Sequence, residues 1–524
     1  MAGHSVLLLE AGDDQGGTVF EDIPAFFPAA SEYVNMSWDF YIRRYPNATQ
    51  EARNSKTTYT TPSGETYIGR NPPAGSTMKG IWYPRAATLG GCTAHNAMVH
   101  VYPHKKDWSS IQAITGDASW SPDNMRKYFV KSEKNQYLTS QTNANANGHG
   151  FNGWLATSQM SLSKPAADPT SMNYISAGFS TLKRKVCKLT TEADLRNIAF
   201  PVDMNANIPN RDSTDGFYQA AETINKGNRA GSRDIILATV AAGYPLTVKL
   251  NTFVTKIRFS KDPIPIALGV DFLSGNALYS ADTRSGSTTG VPGSSNATVE
   301  VVISAGVFNT PQLLKLSGIG PAAELKSFGI PVISNVPGVG TNLGDHYEIS
   351  TIVKSNTPFK LLGNCTFLST AVDPCYNQWA ANGADRGAYG TNLIEATVMK
   401  SSSVATGNRD QFLFGAPVSF RGYYKGYVND AVADTNHWTW AALRGHSTNN
   451  AGTVTLKSAN PLDTPNILFN LFGSGVTAQN EVSNSLTNLV EGLKFGRASY
   501  AKLGAPYGKY FQLDICRCYE LTFS

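Results

Sequence analysis

The stretch Ser5-Val-Leu-Leu-Leu-Glu10-Ala-Gly12-Asp-Asp14 decides how the chain is read. An unbroken apolar run ends on an acid, and a glycine turn follows. Such a run, bounded by a turn, is the pattern of a strand in a parallel sheet covered on both faces. Its C-terminal end then presents the Glu10 carboxylate. In dinucleotide-binding folds an acid at that place accepts hydrogen bonds from the adenosine ribose, about 20 residues after a glycine-rich turn. Only nine residues precede Glu10, too few for that turn and its helix. By itself, Glu10 is no more than an acid at the end of a strand.

Working outward, residues 45–80 are polar and rich in Gly, Pro, Thr and Asn, which predicts a long surface excursion. Pro84-Arg-Ala-Ala-Thr-Leu-Gly90-Gly91-Cys-Thr-Ala-His-Asn96 follows, and its double glycine lets the backbone approach a ligand closely. Helical spacing marks 121–134 and 232–242, with strands over 246–257 and 267–273. Residues 139–170 are a polar loop region, and 280–295 form a Ser/Gly/Thr-rich loop or hairpin tip. Val299-Glu-Val-Val-Ile-Ser304 has the pattern of a buried strand. Ala305-Gly306 ends it, and a helix begins at Pro311. From about 346 to 475, aromatic-rich alternating segments predict an antiparallel sheet, and 480–501 is helical.

Composition narrows the function classes. The 524 residues suggest about two to four domains at roughly 150 residues each. Only 16% are charged and the net charge is +5, without a Lys/Arg block, so nothing points to nucleic acid. No apolar run reaches the ~18 residues of a transmembrane segment. Six cysteines do not make a disulfide scaffold in a chain this long. Cys365 and Cys375 flank a short loop and could bridge in an oxidising compartment or stay as two free thiols. Cys516-Arg-Cys518 is a single weak pair of metal ligands. Four N-x-[ST] sequons, at Asn35, Asn47, Asn296 and Asn364, point to secretion, although no signal peptide opens the chain.

Two loops are set aside. Gly338-Val-Gly340-Thr-Asn-Leu-Gly344 is one residue too long for a dinucleotide phosphate loop and lacks a following apolar helix. No G-x-S-x-G elbow occurs, which leaves a serine hydrolase of the common α/β type without local support.

Three separated segments together resemble the glucose–methanol–choline (GMC) family of FAD-dependent oxidoreductases. Val6-Leu-Leu-Leu-Glu10-Ala-Gly12 is similar to its second strand and ribose-binding acid. Leu89-Gly90-Gly91-Cys92-Thr93-Ala94-His95-Asn96-Ala97-Met98 resembles its first signature. Ser304-Ala-Gly306-Val-Phe-Asn-Thr310-Pro311-Gln-Leu-Leu-Lys-Leu-Ser317-Gly318-Ile-Gly320-Pro321 resembles its second. The segments 338–346 and 452–463 fit the stretches that follow, so the likeness spans most of the chain.

The resemblance implies an α/β (α+β) fold, with a Rossmann-like FAD-binding domain interleaved with an antiparallel-sheet substrate domain. The FAD domain would comprise 1–40, 81–120 and 228–345, and the substrate domain 121–227 and 346–480. Residues 41–80 would form a lid or surface excursion, and 481–524 a helix and tail. Glu10 would bind ribose. Gly90, Gly91 and Cys92 would lie along the pyrophosphate or flavin edge. Asn96, Ala97, Met98 and Val99 would offer backbone groups to the isoalloxazine, Val254 would face the adenine, and Gly306 would allow close approach. Small residues and backbone N–H groups suit a bulky anionic cofactor.

Cys92, His95 and His100 depart from the residues usual at those signature positions. Some family members bond the flavin 8-methyl carbon to a histidine just before the Asn, and the resemblance extends that expectation of covalent FAD to His95. The family's glycine-rich loop and its late catalytic histidine segment have no match, which implies a chain shortened at both ends. None of the eight histidines sits in a matching context, so the catalytic residues stay unassigned. His437 and His446, in the substrate region that the resemblance implies, are the more interesting two. The implied reaction oxidises a CH–OH group of an alcohol or sugar, with oxygen or a quinone as acceptor. The rival reading is a non-catalytic remnant of the GMC fold that binds or supports.

Overall fold

Val6–Leu9 forms a strand that runs parallel to Leu246–Lys249, with Val6 opposite Leu246 and Leu9 opposite Lys249. It belongs to a computed structural model that describes residues 3–139, 144–367, 372–472, 480–504 and 506–507. The strand is less covered than its apolar run predicts, since Val6 and Leu7 are 51% and 41% exposed. Among the described residues Leu246–Lys249 is its one strand partner, so cover from a wider sheet is lacking. The run 299–304 shows the same effect more strongly. It forms no strand, and Val299 and Val302 are 73% and 75% exposed. An apolar stretch becomes a strand only where a neighbouring strand takes up its backbone groups.

Asn251, at φ +49°, splits 246–257 into the strands Leu246–Lys249 and Thr252–Phe259. Thr252–Phe259 then starts a three-stranded antiparallel sheet with Ala267–Ser274 and Val291–Asn296, so part of the predicted 280–295 loop is ladder.

The segment 41–80 differs from the predicted excursion. Its strands Thr57–Thr60 and Thr66–Ile68 join Ser37–Ile42 and Thr77–Ala86 in a four-stranded antiparallel sheet. Tyr45, Thr57, Thr58 and Tyr59 are buried, while 61–76 is largely exposed. Threonine suits the pleated backbone but gives no apolar alternation, which is why these strands are silent in a hydropathy reading.

The antiparallel sheet predicted for the later half is present. Its five strands lie in the order Glu348–Lys354, His437–Arg444, Gln411–Ala416, Ala396–Lys400 and Gly216–Tyr218. Trp438 and Trp440 on its second strand are fully buried with Tyr174, Phe217, Phe359 and Phe495. The helix Glu481–Tyr500 lies across this sheet because two of its residues have no side chain. A Cβ at Gly492 would meet that of Ala442 at 2.5 Å, and one at Gly496 would meet Thr351 Oγ1 at 2.0 Å.

A second core gathers Ile23, Phe26, Leu362, Phe367, Tyr389 and Leu393 beside a Cys365–Cys375 disulfide. The sequence separation of 10 closes a short loop. Loop-closure entropy for that length is worth about 2–3 kcal/mol. Reduction under native conditions is therefore expected to lower the melting temperature by several degrees, read by calorimetry with and without dithiothreitol. An unchanged melting temperature would mean that the bridge adds nothing to the folded state.

Candidate cofactor site

The exit from the first strand is fastened to the double-glycine segment by backbone contacts. Leu89 donates its N–H to Asp13 O at 2.8 Å, and Thr88 Oγ1 donates to the same oxygen at 3.0 Å. Gly12 lies against Ala87 so closely that a Cβ there would fall 1.8 Å from the Ala87 carbonyl oxygen. Asn251 and Thr252 donate to the carbonyls of Gly12 and Glu10, both at 2.8 Å. Glu10, Gly12, Leu89 and the start of the Val254 strand thus meet in one patch. Glu10 Oε1 accepts from Gly12 N at 2.9 Å, and burial pushes the carboxyl up to about 7.

The chain then turns through Gly90 (φ +98°) and Gly91 (φ +57°) into a short 3-10 turn, Gly91–Ala94. These angles favour glycine. A Cβ at Gly90 would press on Arg233, whereas one at Gly91 would meet nothing within 4 Å. Gly91 therefore borders open space. Arg233 is itself held in a bidentate pair with Asp14, at 2.5 and 3.0 Å.

Behind this turn lies an arginine that the sequence reading missed. Arg229 is buried, and its guanidinium donates to Glu21 O, Thr93 O, Asn96 O and Asn96 Oδ1 at 2.7–3.2 Å. Its Nη2 is buried without a partner, as are His95 Nε2 and Glu21 Oε2. Burial, reinforced by the Arg229 and Arg85 charges, holds His95 down to about 3, so its ring is neutral. Burial also pushes Glu21 up to about 7. The signal in the sequence was an arginine between two glycines ahead of a helix, which is too common to stand out.

Ala97, Met98 and Val99 follow. Met98 is buried at φ +57°, a conformation that costs a non-glycine residue energy and persists only where its surroundings impose it. Here Thr223 N donates to Met98 O at 2.8 Å, and Asn392 Nδ2 donates to Ala97 O at 3.0 Å. Cys92 is a half-buried free thiol beside the same turn. Gly306, at φ +88° with open space around its Cβ position, starts the helix Gly306–Leu316, and no hydrogen bond joins it to the Glu10 patch.

His437 and His446 are tied to carboxylates instead. His437 Nδ1 meets Asp434 O at 3.1 Å, with the Asp434 carboxylate at 3.7 Å. His446 Nδ1 lies 3.2 Å from Asp107 Oδ1. Among the described residues no group of three or more His, Cys, Asp or Glu can hold a metal. Cys516 and Cys518 lie outside those residues.

The family model for GMC oxidoreductases matches residues 68–348, more than half of the chain. The chain belongs to the GMC oxidoreductase family. Among its relatives, the alcohol dehydrogenase (acceptor) of Pseudomonas putida is 26% identical over 447 residues, which are 83% of this chain and 68% of that protein. The oxygen-dependent choline dehydrogenase of Brucella anthropi is 29% identical over 389 residues, 74% of this chain and 60% of that protein. A crystal structure of formate oxidase shares the fold with a TM-score of 0.69 at 19% identity, over 95% of this chain and 77% of that one. The GMC assignment carries with it the mixed α/β fold and FAD as cofactor. The residues present fit that group: glycines bordering open space, and buried polar atoms of His95 and Arg229 that lack a protein partner.

Proposed function

We propose that this GMC chain oxidises the CH–OH group of a small alcohol or sugar, with oxygen or a quinone taking up the electrons. The observation that carries the reading is the segment from Gly90 to Val99, where Gly91 borders open space and the buried His95 Nε2 lacks a partner. FAD, when bound, supplies the hydride acceptor at its N5. The chain's own residues would hold and orient it: Glu10 at the ribose, Gly90 and Gly91 along the pyrophosphate, and 96–99 at the ring. Arg229 fixes the Thr93 and Asn96 carbonyls and puts a buried positive charge beside them.

His95 is the candidate tether, since its imidazole is neutral and so carries a lone pair on one ring nitrogen, and its Nε2 makes no hydrogen bond. Secretion is supported by the exposed sequon asparagines Asn47, Asn296 and Asn364 and by the Cys365–Cys375 bridge. Among the described residues no helix is long and apolar enough to cross a membrane.

One preparation tests the reading. Purified protein, reconstituted with FAD, should show flavin absorbance that a panel of alcohols and sugars bleaches when air is excluded. Colour retained in the acid-precipitated pellet is expected if His95 is the tether, and colour wholly in the supernatant rules the tether out. A colourless protein that FAD does not reconstitute would instead leave a non-catalytic GMC fold.

A further inference from the structure

Every acceptor of the Arg229 guanidinium is neutral. Nε donates to Glu21 O at 3.0 Å, and Nη1 to Thr93 O at 3.2 Å, Asn96 O at 2.7 Å and Asn96 Oδ1 at 3.0 Å. Nη2 has no partner among the described residues, and the side chain is 9% exposed. The Glu21 and Asp22 carboxyls act on it only through space. Arg233, four residues on, shows the contrast, since Asp14 neutralises it at 2.5 and 3.0 Å. A cation taken out of water without a bonded carboxylate is costly, so its place needs a reason.

That place is fixed from both sides. Arg229 pairs with Ile224 in a two-stranded ladder. Two residues on, a Cβ at Gly231 would fall 2.6 Å from Thr93 Oγ1. Thr93 Oγ1 accepts from Ser232 N at 3.1 Å and donates to Gly90 O at 2.7 Å. The segment that carries Arg229 is thus bound to both ends of the turn, at Gly90 and at Asn96. Its charge reaches His95, where it adds to burial in holding the ring neutral. Arg85, the other cation that acts on His95, is only half-buried, with its guanidinium 5.8 Å from the Phe308 ring centroid. Solvent screens a charge of that kind more than a buried one.

We propose that Arg229 is the fixed charge of the cofactor site, a positioning residue that favours the reduced anion of the bound flavin over its oxidised form. The inference rests on the reading that 96–99 faces the ring. In the proposed oxidation the CH–OH carbon gives up a proton and two electrons as hydride. The hydroxyl proton leaves separately, and a carbonyl compound remains. The flavin site then holds one more negative charge than before. A rigid, buried positive charge meets it without reorganising. Charge beside the ring is one of the levers by which a protein tunes a flavin.

The test is the two-electron reduction potential of the FAD-loaded protein at neutral pH, read against a reference dye with air excluded. FAD affinity and melting temperature are measured alongside. The wild type should lie above free FAD. Arg229→Gln is neutral but can still donate to Asn96 O. It should favour reduced flavin about tenfold less, a fall of about 30 mV for two electrons. Arg229→Lys keeps a charge but lacks the planar fork, so it should hold the wild-type potential while binding FAD more weakly. A Gln variant with the wild-type potential would overturn the proposal even if it melts earlier, since Arg229 would then support only the turn. Equal falls in the Gln and Lys variants would overturn it too, because the fork and not the charge would be at work. If the Gln variant does not fold, the wild type decides, and a potential at or below that of free FAD overturns the proposal. A wild type that binds no FAD would overturn the cofactor-site reading and this proposal together, an outcome distinct from the others.

Discussion

Gly12→Val is expected to cost about 3 kcal/mol, the upper end of the overpacking range, and to strip the protein of FAD, because the clash is with backbone and cannot be relieved by a rotamer change. The first added carbon alone would stand 1.8 Å from Ala87 O, 2.2 Å from Ala87 C and 2.8 Å from Thr88 N. To make room, residues 10–14 must separate from 87–89. That breaks the Leu89 N to Asp13 O bond and the Thr88 Oγ1 bond, the two contacts that seat the Gly90–Gly91 turn. It also loosens the Asn251 and Thr252 contacts that bring the Val254 strand to Glu10. Gly338→Ala is the matched control, since a Cβ there meets nothing within 4 Å and its φ is not positive. Calorimetry and flavin content per chain measure both effects. Wild-type melting and flavin content in Gly12→Val would show that the close approach is not needed.

His149→Leu is expected to destabilise the protein by about 3–5 kcal/mol, the range for breaking a buried ion pair and leaving charge behind. The ring is buried, with Nδ1 2.8 Å from Glu133 Oε2 and Nε2 3.0 Å from Asp203 Oδ1. Burial alone would lower the His149 pKa, but the hydrogen bonds to Asp203 and Glu133 outweigh it and raise it to about 9. The folded value thus lies above the unfolded one of about 6.5. The folded state binds the proton more tightly, so this stabilisation is fully present below about pH 6.5. It fades as pH rises towards 9 and is gone above that. For Glu133, burial raises the pKa, but His149, Gly150 and Thr157 lower it further, below the ordinary value. Its contribution is present above about pH 4.5 and fades as the medium becomes more acidic. The melting-temperature gap between wild type and His149→Leu should therefore narrow from pH 6.5 to 9. Glu10 and Glu21 also titrate in this window, but they are common to both proteins and cancel in the difference. A gap constant over that range would mean that His149 is neutral in the folded protein.

Much of the candidate cofactor site is local in the chain. Gly90 and Gly91 sit at left-handed angles that only a run of glycines announces, and Glu10 ends an apolar run two residues before Gly12. The later antiparallel sheet was legible from its aromatic alternation. The Cys365–Cys375 bridge was open from spacing alone, and packing of the Phe26–Tyr389 core brings the two sulfurs together. The strands at 57–60 and 66–68 were not legible, since threonine carries no apolar period. The run 299–304 misled for the opposite reason: its period was right and no described strand pairs with it.

By itself, the sequence determined the family, the later antiparallel sheet and the glycine-lined stretch from Glu10 to Val99. Short-range spacing and backbone angle fix those features. Only the tertiary structure decided which charged and polar groups stand behind that stretch. Arg229 reaches Asn96 across a separation of 133 residues, and Asn392 reaches Ala97 across 295. Glu133, His149 and Asp203 come together from a predicted helix, a polar loop and an unassigned stretch. Contacts made at such distances leave no period or motif in the chain. They exist because burial forces each polar atom to find its partner wherever the packed elements put one.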